Sequence, residues 1–291
     1  MAKIGLIDVD GHNYPNLALM KLSKFHKQQG DHVEWVNHFE TYDIVYKSKV
    51  FTFSNDVQTV IMASQILSGG TGYDCSVTLP DEVDRLCPDY SLYPKFKSAY
   101  GFLTRGCPNH CGWCIVPQKE GDIRKYADIE DFLDGRSSAV LMDNNVLAHE
   151  HGLKQIEKIA RMGIKVDFNQ GLDARLITDE VAELLSKVKW LKPIRMACDN
   201  KSQMPHIENA TRLLRKHKAT PSAYFVYMLV KDVADAMIRA EFLRSLNLDP
   251  FAQPYRDFKN NKVDPQARRF ARWVNHKAVF KTVSWEDYIW K

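Results

Sequence analysis

Hydrophobic and polar positions along the chain switch between two periods. Residues 3–8 are an apolar run of strand length. In residues 16–29, Leu17, Met20, Leu22 and Phe25 recur at roughly helical spacing, and Gly30 supplies a stop. Residues 32–36 read as a second strand. Residues 43–46 and 60–62 are further short α/β candidates, and the glycine-rich stretch 69–72 reads as a loop. This alternation predicts a small parallel-sheet unit. Residues 80–94 are rich in Pro, Asp and Tyr and weakly periodic, so they read as a linker with a boundary near residue 95.

The alternation then resumes. Strands are expected at 99–103, 139–142, 165–169, 193–197 and 223–230, and helices at 153–162, 206–216 and 232–246. Thr178 is placed to cap a further helix that carries Val181, Leu184, Leu185 and Val188 on one face. Polar residues cluster just after each strand, where (β/α) barrels build their sites. The fold class expected is therefore α/β, with a small N-terminal unit and linker over 1–95, a partial (β/α)6 barrel over 96–247 and a basic, aromatic extension over 248–291. The chain shows no internal repeat of solenoid period.

Composition narrows the function classes. The chain has 291 residues, 45% of them hydrophobic and 26% charged, which is a globular rather than a disordered profile. A net charge of +4 neither demands nor excludes a nucleic-acid partner. The opening apolar run is broken by Asp8 and Asp10 and is too short for a signal segment, and there is no apolar stretch of membrane-spanning length. No membrane association and a cytoplasmic location are expected. Six cysteines in a long chain without an export signal point to metal ligation or catalysis before disulfides.

Three of these cysteines are clustered. Cys107, Cys111 and Cys114 are spaced C-x3-C-x2-C in the segment Gly106-Cys107-Pro108-Asn109-His110-Cys111-Gly112-Trp113-Cys114. Three thiolates can hold three irons of a cubane cluster and leave the fourth iron open to a substrate. The same cysteines with His110, His149 or His151 would also satisfy a zinc ion. The loop resembles that of the radical S-adenosylmethionine (SAM) superfamily, including the aromatic Trp113 just before the third cysteine. It resembles above all the members with an N-terminal cobalamin-binding domain, and also the methylthiotransferases, which modify tRNA or protein. For a second cluster of the methylthiotransferase kind, only Cys75 and Cys87 lie upstream.

The resemblance implies a 4Fe–4S cluster on Cys107, Cys111 and Cys114, SAM bound to its open iron, a 5′-deoxyadenosyl radical and an external electron donor such as flavodoxin or ferredoxin. Asp143 and Asn144, after the second barrel strand, would then meet the methionyl amino group, although Asp and Asn also favour turns. Arg175 would receive the methionyl carboxylate, with Asn169 and Asp173 bonding SAM or substrate; Asp173 and Arg175 could equally form a local ion pair. Residues 4–8, Asp10-Gly11-His12, residues 15–18 and Gly69-Gly70 resemble a cobalamin-binding Rossmann-like unit, which implies cobalamin as a further cofactor, but the cobalt-ligating motif lacks its glycine. In the tail, Arg256, Lys259, Lys262, Arg268, Arg269, Arg272, Lys277 and Lys281 interleave with Phe258, Phe270, Trp273 and Phe280. That pattern suits either nucleic acid or an amphipathic helix whose aromatic face is docked. A non-enzymatic zinc or iron–sulfur module that binds nucleic acid is the competing class. The substrate is not written in these motifs.

Overall fold

The first apolar run forms β1 (Lys3–Asp8) in a computed structural model of the chain, which describes residues 1–219, 224–257 and 261–289. The architecture is mixed α/β with parallel sheets. The chain divides into two compact units. One comprises residues 1–101, 110–121 and 127–139, and the other comprises 102–109, 122–126 and 140–291.

In the first unit, α1 (Leu17–Gln28) follows β1 and is capped by Asn16, whose side chain accepts from the Leu19 N–H. β2 (His32–Trp35), β3 (Thr41–Ser48) and β4 (Met62–Gly69) complete a parallel sheet of order β2-β1-β3-β4. Ile4, Leu6, Leu19, Met20, Tyr42 and Val45 are buried in its core. The stretch 43–46 is the interior of β3, and 60–62 leads into β4. Between β3 and β4 the chain forms no helix; Val57 and Ile61 from this connection pack on Ile7, Tyr42 and Val45 instead. The segment 80–94 carries α2 (Asp81–Asp84) and a 3-10 turn at Tyr90–Leu92. Its Val83, Tyr90, Leu92 and Tyr93 are buried. Its aromatic residues anchor it, as the Tyr90 hydroxyl donates to the Phe132 carbonyl at 2.6 Å. β5 (Ala99–Gly101), α3 (Val116–Lys119) and α4 (Glu130–Leu133) complete the unit.

The second unit opens with an antiparallel pair, β6 (Thr104–Arg105) and β7 (Arg124–Lys125). β8 (Ser138–Leu141), β9 (Lys165–Phe168) and β10 (Lys189–Trp190) lie side by side. α5 (Glu150–Met162) links β8 to β9, and α6 (Asp179–Ser186), capped by Thr178, links β9 to β10. β11 (Arg195–Ala197), β12 (Phe225–Val230) and β13 (Asp249–Pro254) form a second parallel sheet, joined by α7 (Met204–Lys216) and α8 (Val233–Ser245). Ala223, the expected start of β12, lies outside the described residues. β12 buries alternate residues Val226, Met228 and Val230, as a strand covered by a helix should. The described strands form separate sheets, and no closed barrel is found among them. The tail forms α9 (Pro265–Asn275) and α10 (Lys277–Thr282), with Phe270, Trp273 and Phe280 buried. Those rings are occupied by packing and are not presented to bases. Phe258 and Lys259 lie outside the described residues.

Candidate functional site

A polar network surrounds Cys107 in the second unit. It draws on the chain after β6, after β8 and after β9. Gly106 adopts φ +82°, a left-handed conformation that a glycine takes without strain, and its N–H donates to Asn144 Oδ1 at 3.2 Å. Cys107 Sγ accepts from the Asn109 backbone N–H at 3.5 Å and from Asn109 Nδ2 at 3.4 Å. A longer contact of 3.7 Å runs from Asn145 Nδ2 to the same sulfur. Both amides also donate to Asp173 Oδ2, Asn109 at 3.2 Å and Asn145 at 3.0 Å. Arg175 grips the same carboxylate with Nε at 2.8 Å and Nη2 at 2.7 Å. Burial works against ionising Asp173, but the Arg175 pair and the Asn145 amide outweigh it and hold the carboxyl below its ordinary range.

The structure assigns the sequence candidates different tasks. Asp143 is 3% exposed, and its Oδ1 accepts from Leu103 N at 3.0 Å, Thr104 N at 2.6 Å and the Thr104 hydroxyl at 2.8 Å. It therefore anchors the strand that feeds the cysteine loop, where the resemblance implied a partner for an ammonium. Burial raises its carboxyl to about 6. Asn144 caps Gly106. Asn169 serves its own neighbourhood: its N–H donates to the Leu141 carbonyl at 3.1 Å, its carbonyl accepts from the Tyr227 hydroxyl at 2.9 Å, and its Oδ1 accepts from Gln170. Asp173 and Arg175 form the local ion pair, and Asp173 is also the centre of the network.

Of two further members, Asn109 was not singled out from sequence, and Asn145 was read only as part of the polar run Asp143-Asn144-Asn145 after the second barrel strand. Asn109 stands inside the cysteine loop, two residues after Cys107, and that proximity was the available signal. Asn145 is the last residue of the Asp-Asn-Asn run. Its Oδ1 is buried and has no hydrogen-bond partner among the described residues. A buried acceptor in that state costs roughly 1–3 kcal/mol, so a donor from a ligand would be stabilised there.

In the first unit, Cys114 N–H donates to the Cys111 carbonyl at 2.9 Å, and Val116 N–H donates to Cys114 Sγ at 3.4 Å. Cys107 and Cys111 are part-buried, Cys114 is exposed, and none of the three is in a disulfide. No group of three His, Cys, Asp or Glu side chains gathers as a metal-binding cluster among the described residues. His149 caps α5, its Nδ1 accepting from His151 N–H at 3.0 Å. Arg195 pairs with Asp167, and Asp199 accepts from Leu229 N–H at 2.8 Å. Asp10 accepts from the Val50 and Phe51 N–H groups and the Ser54 hydroxyl, while the His12 ring packs 4.2 Å from Trp35. The two residues of the partial cobalamin motif are thus engaged in local structure. No helix of the described residues is long and apolar enough to cross a membrane. No family model and no curated protein sequence matches the chain.

Proposed function

We propose that the chain is a radical SAM enzyme in which Cys107, Cys111 and Cys114 hold a 4Fe–4S cluster. The observation that carries this reading is the donor set. Three cysteines outside any disulfide are spaced C-x3-C-x2-C within eight residues, and N–H groups are aimed at two of the sulfurs. N–H donors suit an ionised, metal-bound sulfur better than a neutral thiol. When bound, the cluster supplies one electron that cleaves SAM to methionine and a 5′-deoxyadenosyl radical.

The residues present support this role. Asn109 and Asn145 stabilise negative charge on the Cys107 sulfur. Asn145 Oδ1 offers a buried acceptor suited to the methionyl ammonium. Arg175, oriented by Asp173 and 38% exposed in its side chain, is placed to meet the carboxylate. The sheets β10-β9-β8 and β11-β12-β13 are the pieces from which a partial (β/α)6 core would be built. A one-electron donor of the flavodoxin or ferredoxin class completes the scheme, and the substrate is assigned no identity.

Anaerobic purification tests the reading. A brown protein with about four irons per chain is expected, forming 5′-deoxyadenosine from SAM once reduced. A colourless protein with one zinc, or a loaded protein that leaves SAM intact under several reductants, overturns it. Cys111→Ala is expected to lose the iron.

A further inference from the structure

The sheet of the first unit has two very different edges. β2 is four residues long and carries His32 and Glu34, with Lys3 bridged to Glu34 at 3.3 Å. A short, charged edge resists pairing with another chain. β4 is eight residues long and contains no charge and no proline. All of its ladder pairing is with β3, and its other side meets no strand of the described residues. Both faces are open: Ile66 is 45% exposed and Leu67, pointing the opposite way, is 40% exposed.

The surroundings of this edge are apolar. Eight of the fourteen large apolar side chains that are exposed among the described residues fall between residues 50 and 77. Phe51 and Phe53 stack at 5.2 Å, and Val77 lies beside Gly69 at the end of β4. A patch of this concentration is unusual on a monomer. The span also matches the roughly 20–30 residues that each side of a stable interface contributes.

We propose that β4 pairs with β4 of a second copy of this chain, making one continuous eight-stranded sheet across a two-fold axis. The argument for a second copy is charge. A two-fold axis sets each strand antiparallel to its mate and brings mid-strand residues against their own counterparts, so any charge on β4 would repel itself. β4 has none. Head-to-tail growth through β2 is blocked by that edge's charges, so the assembly closes at two. The inference does not depend on the cluster.

Sedimentation equilibrium of the intact chain over a concentration series tests it. Twice the chain mass is expected for the wild type. Ile66→Lys combined with Leu67→Lys places like charges across the axis and should weaken the dimer at least tenfold. Both side chains are already exposed in the single chain, so the variant should keep the wild-type circular dichroism, while its melting temperature should lose the concentration dependence that a dimer confers. Hydrogen exchange should show β4 amides protected in the wild-type dimer and open in the variant. A wild type that stays monomeric, one that grows beyond a dimer, or a variant that dimerises as the wild type does would each overturn the proposal.

Discussion

Asp143 gives the sharpest test of how the cysteine loop is held. Its carboxyl is raised from 3.8 to about 6 by burial, which outweighs the hydrogen bonds from Thr104 and Leu103. A folded-state value above the unfolded one means that the fold prefers the protonated form. The stabilisation is fully present below about pH 3.8 and is lost as the pH rises through about 6. The shift of about two units corresponds to about 3 kcal/mol at 1.36 kcal/mol per unit. Oδ1 takes all three donors, while Oδ2 receives only the Leu103 N–H at 3.2 Å, so Oδ2 is the natural site of the proton. Asp143→Asn, with its NH2 in that place, mimics the acid form. In urea unfolding followed by tryptophan fluorescence, the variant should match wild type near pH 4. It should gain on wild type up to about 3 kcal/mol by pH 7.5. Asp143→Ala, by contrast, strands three buried donors and should cost about 3–6 kcal/mol. A stability difference between wild type and Asp143→Asn that does not change with pH would refute the reasoning.

Other outcomes follow from single side chains. Arg239, 1% exposed, joins α8 to the Cys198 carbonyl at 2.7 Å and the Leu229 carbonyl at 2.9 Å, and pairs with Asp235. Arg239→Met should destabilise by about 3–5 kcal/mol in chemical denaturation, and a loss under about 1 kcal/mol would contradict that bond set. Burial pushes the Cys198 thiol up to about 12. In the native apoprotein at pH 8, iodoacetamide should label the exposed Cys114 and spare Cys198, as read by peptide mass spectrometry. Equal labelling would count against the burial. Asn145→Leu should lower the midpoint potential of the loaded cluster at unchanged iron content, because it removes an N–H donor from Cys107. An unmoved potential in a fully loaded variant would deny the amide that role and leave the cluster assignment standing.

The elements that were legible in the sequence are those whose signals are local. The helix expected over 153–162 is α5, and Gly163, at φ +69°, stops it as glycines do. Thr178 and Asp232 cap the helices they precede. What local pattern could not convey was long-range pairing. β4 mixes Ser64, Gln65 and Ser68 with Ile66 and Leu67, so it lacks the alternation that marks a half-buried strand, and only its ladder with β3 defines it. The same limit applied to the site. The Asp143 position at a strand end was readable, but its donors at Leu103 and Thr104 stand some forty residues away in the chain. Arg175 and Asp173, two residues apart, could be read as a pair because their contact is local.

Asn109 and Asn145 explain why the network is arranged as it is. Each of Asn109 and Asn145 divides its NH2 between Cys107 Sγ and Asp173 Oδ2. Turning either amide over would set its oxygen against the Asp173 carboxylate and the accepting Cys107 sulfur, so the two acceptors themselves fix the orientation. With the NH2 committed in this way, the Asn145 oxygen points away from both acceptors, and it has no hydrogen-bond partner among the described residues. Arg175 then has a task beyond a surface ion pair. By neutralising Asp173 it would keep a second negative charge from opposing a cluster-bound Cys107 sulfur through the shared amides, on the function proposed above. The pair is bidentate and its Asp173 side is only 12% exposed, so losing it would disturb both local stability and the electrostatics around Cys107. The network therefore joins residue 175 to the first cysteine through two amides, and the pairing that looked merely local in sequence sets the charge environment of the proposed cluster ligand.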